Sequence, residues 1–259
     1  MRKQSNIVIV KPDRYNQPKL RTKFELYRWS TKPSLRALRV KTNRTKCCVI
    51  VASGPSIDEA HLTEIVGHER IKTMQVNHPY KPIWPTDYWF FVDNGCIQTH
   101  KRLWAHYEGQ IICGDAVRER RGEHDLKVKI TKTAGPGFSE DLTKGIILGL
   151  TSSYAALQVA CWMDYKSIYF FGVDMCAVDN KLYANNWVNP VHKKPKGRIE
   201  HFRRESTAWS WAGKHLPACI KNKIYLCSNY NKFKFVDNFQ SLDHTIAYKT
   251  ILEEFGDKE

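Results

Sequence analysis

The chain has no apolar run approaching the roughly 18–20 residues that a membrane-crossing helix needs. Its N-terminus, MRKQSNIVIVKPD, holds a run of only four apolar residues, too short for the core of a secretory signal. The expected location is therefore cytoplasmic, with peripheral attachment to a membrane left open. No CxxC occurs among the eight cysteines, and no HxxxH or HExxH among the ten histidines, which argues against a structural zinc site. Cys161, Cys176, Cys219 and Cys227 stand in apolar settings and read as reduced core thiols. There is no GxGxxG and no Walker loop, so NAD binding and ATP hydrolysis lack support. Asp-x-Asp is absent as well, and no metal is expected on that ground.

Acidic residues are scarce at one end. Residues 1–46 hold 14 Lys and Arg against 2 acids, whereas the other 213 hold 27 against 24. The formal net charge of +15 thus belongs mostly to an N-terminal arm. Such an arm is either a solvated basic segment or a dock for a polyanion, whether nucleic acid or an anionic membrane surface. Phe24, Leu26, Tyr27, Trp29, Leu35, Leu38 and Val40 lie among its charges and can pack on the body or form a basic amphipathic segment, which Pro33 would interrupt.

What is present is a chain of 259 residues, 42% hydrophobic and 12% aromatic, enough for one α/β domain with a core. The most informative stretch is CCVIVASGPSIDEA, residues 47–60. It reads as a buried strand, Cys47–Ala52, a turn, Ser53-Gly54-Pro55-Ser56, and a helix over Ile57–Val66. Gly54 admits close backbone approach, Pro55 suits a first helical turn, and Ser53 or Ser56 can cap the helix. Such a turn aims backbone N–H groups at one spot, where a phosphate is expected.

Further strands are expected at Ile71–Val76, Tyr88–Val92, Gln110–Cys113, Ser167–Phe171 and Lys223–Cys227, with one edge strand at Leu126–Ile130. Helices are expected at Thr99–Tyr107, Tyr154–Met163, Arg203–Leu216 and Leu242–Phe255. Residues 175–202 carry no periodicity and read as a lid. The alternation predicts an α/β, doubly wound, mostly parallel sheet of Rossmann-like type over residues 47–259. Polar residues follow the apolar strands at Ser53, Asn77, Asp93 and Asn94, Gly172–Asp174, and Ser228 and Asn229. In open α/β sheets a ligand sits at that edge.

These segments in this order, VIVASGPSIDEA, VN at 76–77 and TSSYAALQVACWMDYKSIYFFGVDM, resemble the compact bacterial sialyltransferases over roughly residues 46–230. A broader group with the same GPS and G-x-D segments includes pterin pyrophosphokinase-like proteins. The resemblance implies a nucleotide-binding fold with a lid. It places Gly54, Pro55 and Ser56 at the nucleotide phosphate, with Ser53 where the family has Asn, and Asn77 near the sugar or nucleotide. It sets Asp93 or Asn94 near the family's third-strand Asn, and Thr151, Ser152 and Ser153 on its TSG segment. Asp174, after Gly172, would hold a nucleotide hydroxyl, with Ser228 and Asn229 on the same edge. Tyr183 matches a lid tyrosine and His201 the lid histidine, a general base. Met175 and Cys176 stand where the family has a further tyrosine.

The implied activity is inverting transfer of a sugar from a CMP-type nucleotide donor to a hydroxyl, on a glycan or lipopolysaccharide-like glycolipid, with no cofactor beyond the donor. His201 would take the acceptor proton, and Tyr183 with Lys193, Lys194 or Arg198 would steady the departing phosphate. Three alternatives stand beside it. One is a metal-dependent phosphotransferase using Asp93, Asp115 and Asp174. Another is a glycosyltransferase acting on nucleic acid, and the third is a non-catalytic binding module. A homo-oligomer is compatible with the sequence.

Overall fold

The computed structural model describes residues 34–118, 125–176, 195–228 and 238–257, the first five of the third segment as backbone only. Among these described residues ten short strands form in chain order: β1 Cys47–Val51, β2 Ile71–Val76, β3 Tyr88–Phe91, β4 Gln110–Gly114, β5 Leu126–Val128, β6 Ile130–Lys132, β7 Ile146–Ile147, β8 Ser167–Phe171, β9 Ile224–Cys227 and β10 Gln240–Leu242. The helices are α1 Asn94–Thr99, α2 Lys101–His106, α3 Ser152–Met163, α4 Pro195–His215, α5 Ala218–Lys221 and α6 His244–Phe255.

Eight strands make one sheet in the order β10-β9-β8-β1-β2-β3-β4-β5, and every pairing in it is parallel. Strands β6 and β7 form a separate parallel pair. The chain builds outward from β1 through β5, then returns to the other side of β1 with β8. The switch point of the sheet therefore lies between β1 and β8, and the crevice outside their carboxyl ends is where this topology leaves room for a ligand.

Alternate strand residues face opposite layers. Cys48, Ile50, Ile168 and Phe170 join one core with α3 and with Phe202, Ala208, Trp209 and Ala212 of α4. Cys47, Val49, Val51, Tyr169 and Phe171 join the other with Ile57, Leu62, Ile65 and the α6 residues Ala247, Ile251 and Phe255. A satellite cluster packs Trp89, Phe91 and Ile111 on Cys96 and Ile97 of α1. Burial on both faces explains why the central strands read as unbroken apolar runs. The sheet is thus doubly wound. Among the described residues no helix is long and apolar enough to cross a membrane.

Several expectations need correction. Residues 57–66 are not an α-helix: two short 3-10 turns, Pro55–Glu59 and Thr63–Ile65, take their place. Ile57, Ala60, Leu62 and Ile65 are all buried, yet spacings of three, two and three would scatter them round an α-helix. Breaking the segment into turns lets all four reach the sheet. The helix expected over 99–107 covers only Lys101–His106, and a separate helix that was not expected, Asn94–Thr99, precedes it. Cys219, expected in the core, is exposed because it lies on the short surface helix Ala218–Lys221, which buries no residue. The last helix begins only at His244, where the Asp243 carboxylate accepts from the Thr245 and Ile246 N–H groups, and Gln240–Leu242 joins the sheet instead.

Part of the basic arm packs on the body. The Trp162 indole N–H donates to the Leu35 carbonyl, and the Asn43 amide donates to the carbonyls of Leu38 and Met163. Arg44 pairs with Asp164 at 2.7 Å, and Arg39 lies over the Trp162 ring. Residues 34–46 thus cover the C-terminal end of α3, where cations and amide donors meet outward-facing carbonyls. Residues 1–33 lie outside the described residues, as do Tyr183, Lys193, Lys194, Asn229 and most of the expected lid, and Arg198 is described by its backbone alone.

Candidate functional site

A cavity of about 230 Å³ opens at the switch point. Ser53, Gly54, Asn77, Asp93, Thr151, Ser152, Ser153, Gly172, Asp174 and His201 all line it, residues that stand far apart in the sequence. Four parallel-strand ends, those of β1, β2, β3 and β8, and two helices bring them together. Pro55, Ser56, Asn94 and Ser228 do not line it. Pro55 and Ser56 are buried, Asn94 accepts from the Arg118 N–H at 3.0 Å, and Ser228 is bonded to Asp174.

Two of the three N–H groups of the Ser53–Ser56 turn are bonded inside the chain. The Gly54 N–H donates to the Gly172 carbonyl at 2.8 Å, and the Ser56 N–H donates to Asp174 Oδ2 at 2.8 Å. Pro55 has no N–H to offer. Neither serine side chain caps the turn, whose first position is Gly54. The close approach that Gly54 permits is therefore to its own chain: a Cβ there would lie 2.4 Å from Gly172 O and 2.5 Å from Asp174 Oδ2. Gly172, at φ 71°, is equally confined, since its Cβ would lie 2.8 Å from Ala52 O. The Asp174 carboxylate is 1% exposed and its other oxygen accepts from Ser228 Oγ at 2.6 Å. Through these bonds the Asp174 side chain ties the ends of β1, β8 and β9 into one floor.

The open donors lie opposite, at α3. Thr151 precedes the helix in extended conformation, its side chain caps no N–H of the first turn, and the first turn holds no acid. Its hydroxyl is instead 3.0 Å from Ser153 Oγ. The first N–H groups of a helix have no partners within it and favour an acceptor or anion. Two hydroxyls and a helix N-terminus thus face the cavity from one side.

Backbone strain gathers here too. Four described non-glycine residues have positive φ, and three of them line the cavity: Asn77 at 57°, Leu150 at 67° and Met175 at 50°. Left-handed conformation at a leucine or methionine costs energy and persists where packing enforces it, which is common at functional sites. Asn77 is held by its own backbone: its carbonyl accepts from Trp89 Nε1 at 2.8 Å and from Cys96 Sγ at 2.9 Å. Next to it, His78 Nδ1 lies 2.8 Å from His100 Nε2. Burial, and then the neighbouring His100, lower the His78 pKa to about 3, so that ring is neutral at physiological pH. Burial also lowers His100.

His201, expected in an aperiodic lid, is helical. It sits on α4, whose helix starts eight residues before the expected Arg203, and its Nε2 lies 2.8 Å from Glu205 Oε1 one turn on. Both residues line the cavity. Arg203 and Arg204 project outward and are exposed, with Arg203 near Glu200. Glu205, His78, Leu150 and Met175 also line the cavity and were not among the expected site residues. An i,i+4 search from His201 finds Glu205 only once that stretch is assigned to a helix.

The three carboxylates of the phosphotransferase alternative have separate local tasks. Asp93 caps α1 through the Gly95 N–H, Asp115 accepts from the Ile130 N–H, and Asp174 is bound as described. Among the described residues no group of three His, Cys, Asp or Glu side chains is placed to hold a metal ion. No family model matches this chain, and no curated protein or solved structure matches it either.

Proposed function

We propose that this chain is a glycosyltransferase of the sialyltransferase-like kind, which moves a sugar from a nucleotide donor to a hydroxyl acceptor with inversion. One observation carries the reading: His201, Asn77, Asp93 and the Thr151–Ser153 helix start converge on a single strained cavity at the switch point of a doubly wound sheet. In the proposed step an acceptor hydroxyl loses its proton to His201 as its oxygen bonds the anomeric carbon. The bond from that carbon to the phosphate oxygen breaks, and its electron pair leaves on the nucleotide phosphate. An alcohol is far too weak an acid to ionise first, so the base acts in the transition state. Negative charge then grows on the phosphate, and the uncapped start of α3 is the place on this chain suited to receive it. It stands beside the Ser53–Ser56 turn, where the Gly54 and Ser56 N–H groups are already bonded within the chain.

The cavity is smaller than the roughly 300–1,000 Å³ common for small-molecule sites, so it suits one part of a nucleotide sugar. The test is a thermal-shift screen with CMP, CDP, UDP, GDP and ATP, each with and without magnesium. CMP is expected to raise the melting temperature without metal, and at about 100 times its Kd the gain would be about 2.7 kcal/mol. ATP acting only with magnesium would favour the phosphotransferase instead. No response to any nucleotide would leave the non-catalytic module. His201→Ala should keep the CMP response and lose at least about 100-fold in transfer rate.

A further inference from the structure

We propose that Glu205 is a positioning residue for His201: it fixes the ring's tautomer and assigns the proton-accepting role to Nδ1. The inference rests on the reading of His201 as the base. Its starting point is the 2.8 Å contact between His201 Nε2 and Glu205 Oε1. The Glu205 side chain is only 4% exposed, while the histidine is 31% exposed. On the same helix Glu200 and Arg203 show what an ordinary surface pair looks like, at 3.4 Å with both side chains more than half exposed. Helix α4 therefore has ample solvated surface for charge, yet Glu205 is turned inward at the cavity wall. Withdrawing a carboxylate from water is costly unless strong hydrogen bonds replace the hydration. The imidazole N–H is one such bond.

The chemistry follows from donor and acceptor capacity. An ionised carboxylate only accepts, so the nitrogen that faces it in the neutral ring carries the proton. Nε2 is then N–H, and the lone pair belongs to Nδ1. In the transfer step the acceptor O–H proton moves to Nδ1, the Nε2–H stays in place, and the ring becomes an imidazolium. Glu205 takes no proton. Its negative charge favours the cation as it forms, and its hydrogen bond holds the ring plane while that happens. The one-turn separation on a single rigid helix sets this geometry without any contribution from a loop.

The experiment uses protein carrying nitrogen-15 in its histidine rings, at neutral pH and low temperature. Wild type should show a downfield Nε2–H proton, assigned to His201 by its loss in His201→Asn. In Glu205→Ala that proton should be lost to exchange with water. Glu205→Gln keeps a carbonyl acceptor without the charge, so its signal should persist but move upfield, because a neutral acceptor makes a weaker bond. If the alanine variant does not fold, the glutamine shift decides alone. A wild-type proton on Nδ1, or a glutamine variant with an unmoved Nε2–H signal, would overturn the proposal. CMP-induced stabilisation is measured on the same samples. If CMP has no effect while the Nε2–H signature is present, the His–Glu pair stands as structure but its part in transfer is refuted. If CMP stabilises and the signature is absent, the transfer reading survives without Glu205.

Discussion

Replacing Asp174 separates a structural tie from a ligand contact. The carboxylate takes one hydrogen bond from the Ser56 N–H at 2.8 Å and another from Ser228 Oγ at 2.6 Å, and Ser56 and Ser228 are 0% and 9% exposed. A hydrogen bond to a charged group is worth about 1.5–3 kcal/mol, and a buried donor left without a partner costs about 1–3 kcal/mol. Those two ranges describe the same bonds from different reference states and are not summed. Asp174→Ala is therefore expected to destabilise by about 3–5 kcal/mol, which for a domain of this size lowers Tm by about 10 °C. Asp174→Asn keeps the shape: its carbonyl can accept from Ser56 and its amide can donate to the Ser228 hydroxyl. The asparagine variant should lose only about 1–2 kcal/mol. Urea unfolding and thermal melts of both variants supply the numbers. If Asp174→Ala lay within about 1 kcal/mol of wild type yet lost nucleotide-induced stabilisation, the tie would be refuted, since only a ligand-directed carboxylate behaves that way.

Gly54→Ala forces a Cβ against the Gly172 backbone, which cannot rotate aside, and should cost about 1–3 kcal/mol in the same unfolding assay. His78, with a folded pKa near 3 against an ordinary 6.5, gives stability that is complete above pH 6.5 and declines as pH falls through that window, because the unfolded chain then binds a proton that the folded chain refuses. At pH 5 the loss should be about 2 kcal/mol, and His78→Gln should flatten that part of the stability–pH curve. Deleting residues 1–33, which carry nine Lys and Arg against two acids, should shift elution from a heparin column to lower salt; unchanged elution would refute the polyanion role.

Most strands could be read from the chain because apolar runs such as Cys47–Val51 and Ser167–Phe171 are buried on both faces, and burial of that kind leaves an unambiguous mark, whereas their order in the sheet came from the fold. The first helix was misread because Ile57 to Ile65 has helical composition but lacks a helical stripe. His201 was placed in a lid because the residues before Arg203 lack apolar periodicity; a polar helical turn leaves no such mark. The edge strand Gln240–Leu242 is exposed and polar on much of its length, so only its pairing with β9 identifies it.

By itself the sequence determined the layer architecture and which edge of the sheet collects polar residues, because periodicity and turn chemistry are local. Tertiary structure alone decided what those residues do for one another. The same Ser-Gly-Pro-Ser turn can hold a phosphate or a carboxylate from its own chain, and the choice depends on whether Asp174, 118 residues beyond Ser56, arrives within 2.8 Å. Likewise the partner of His201 is Glu205 rather than the adjacent arginines, because a helix puts i+4 on the same face and turns i+2 and i+3 outward here. Hydrogen bonding acts at about 3 Å, and only the folded chain sets distances on that scale.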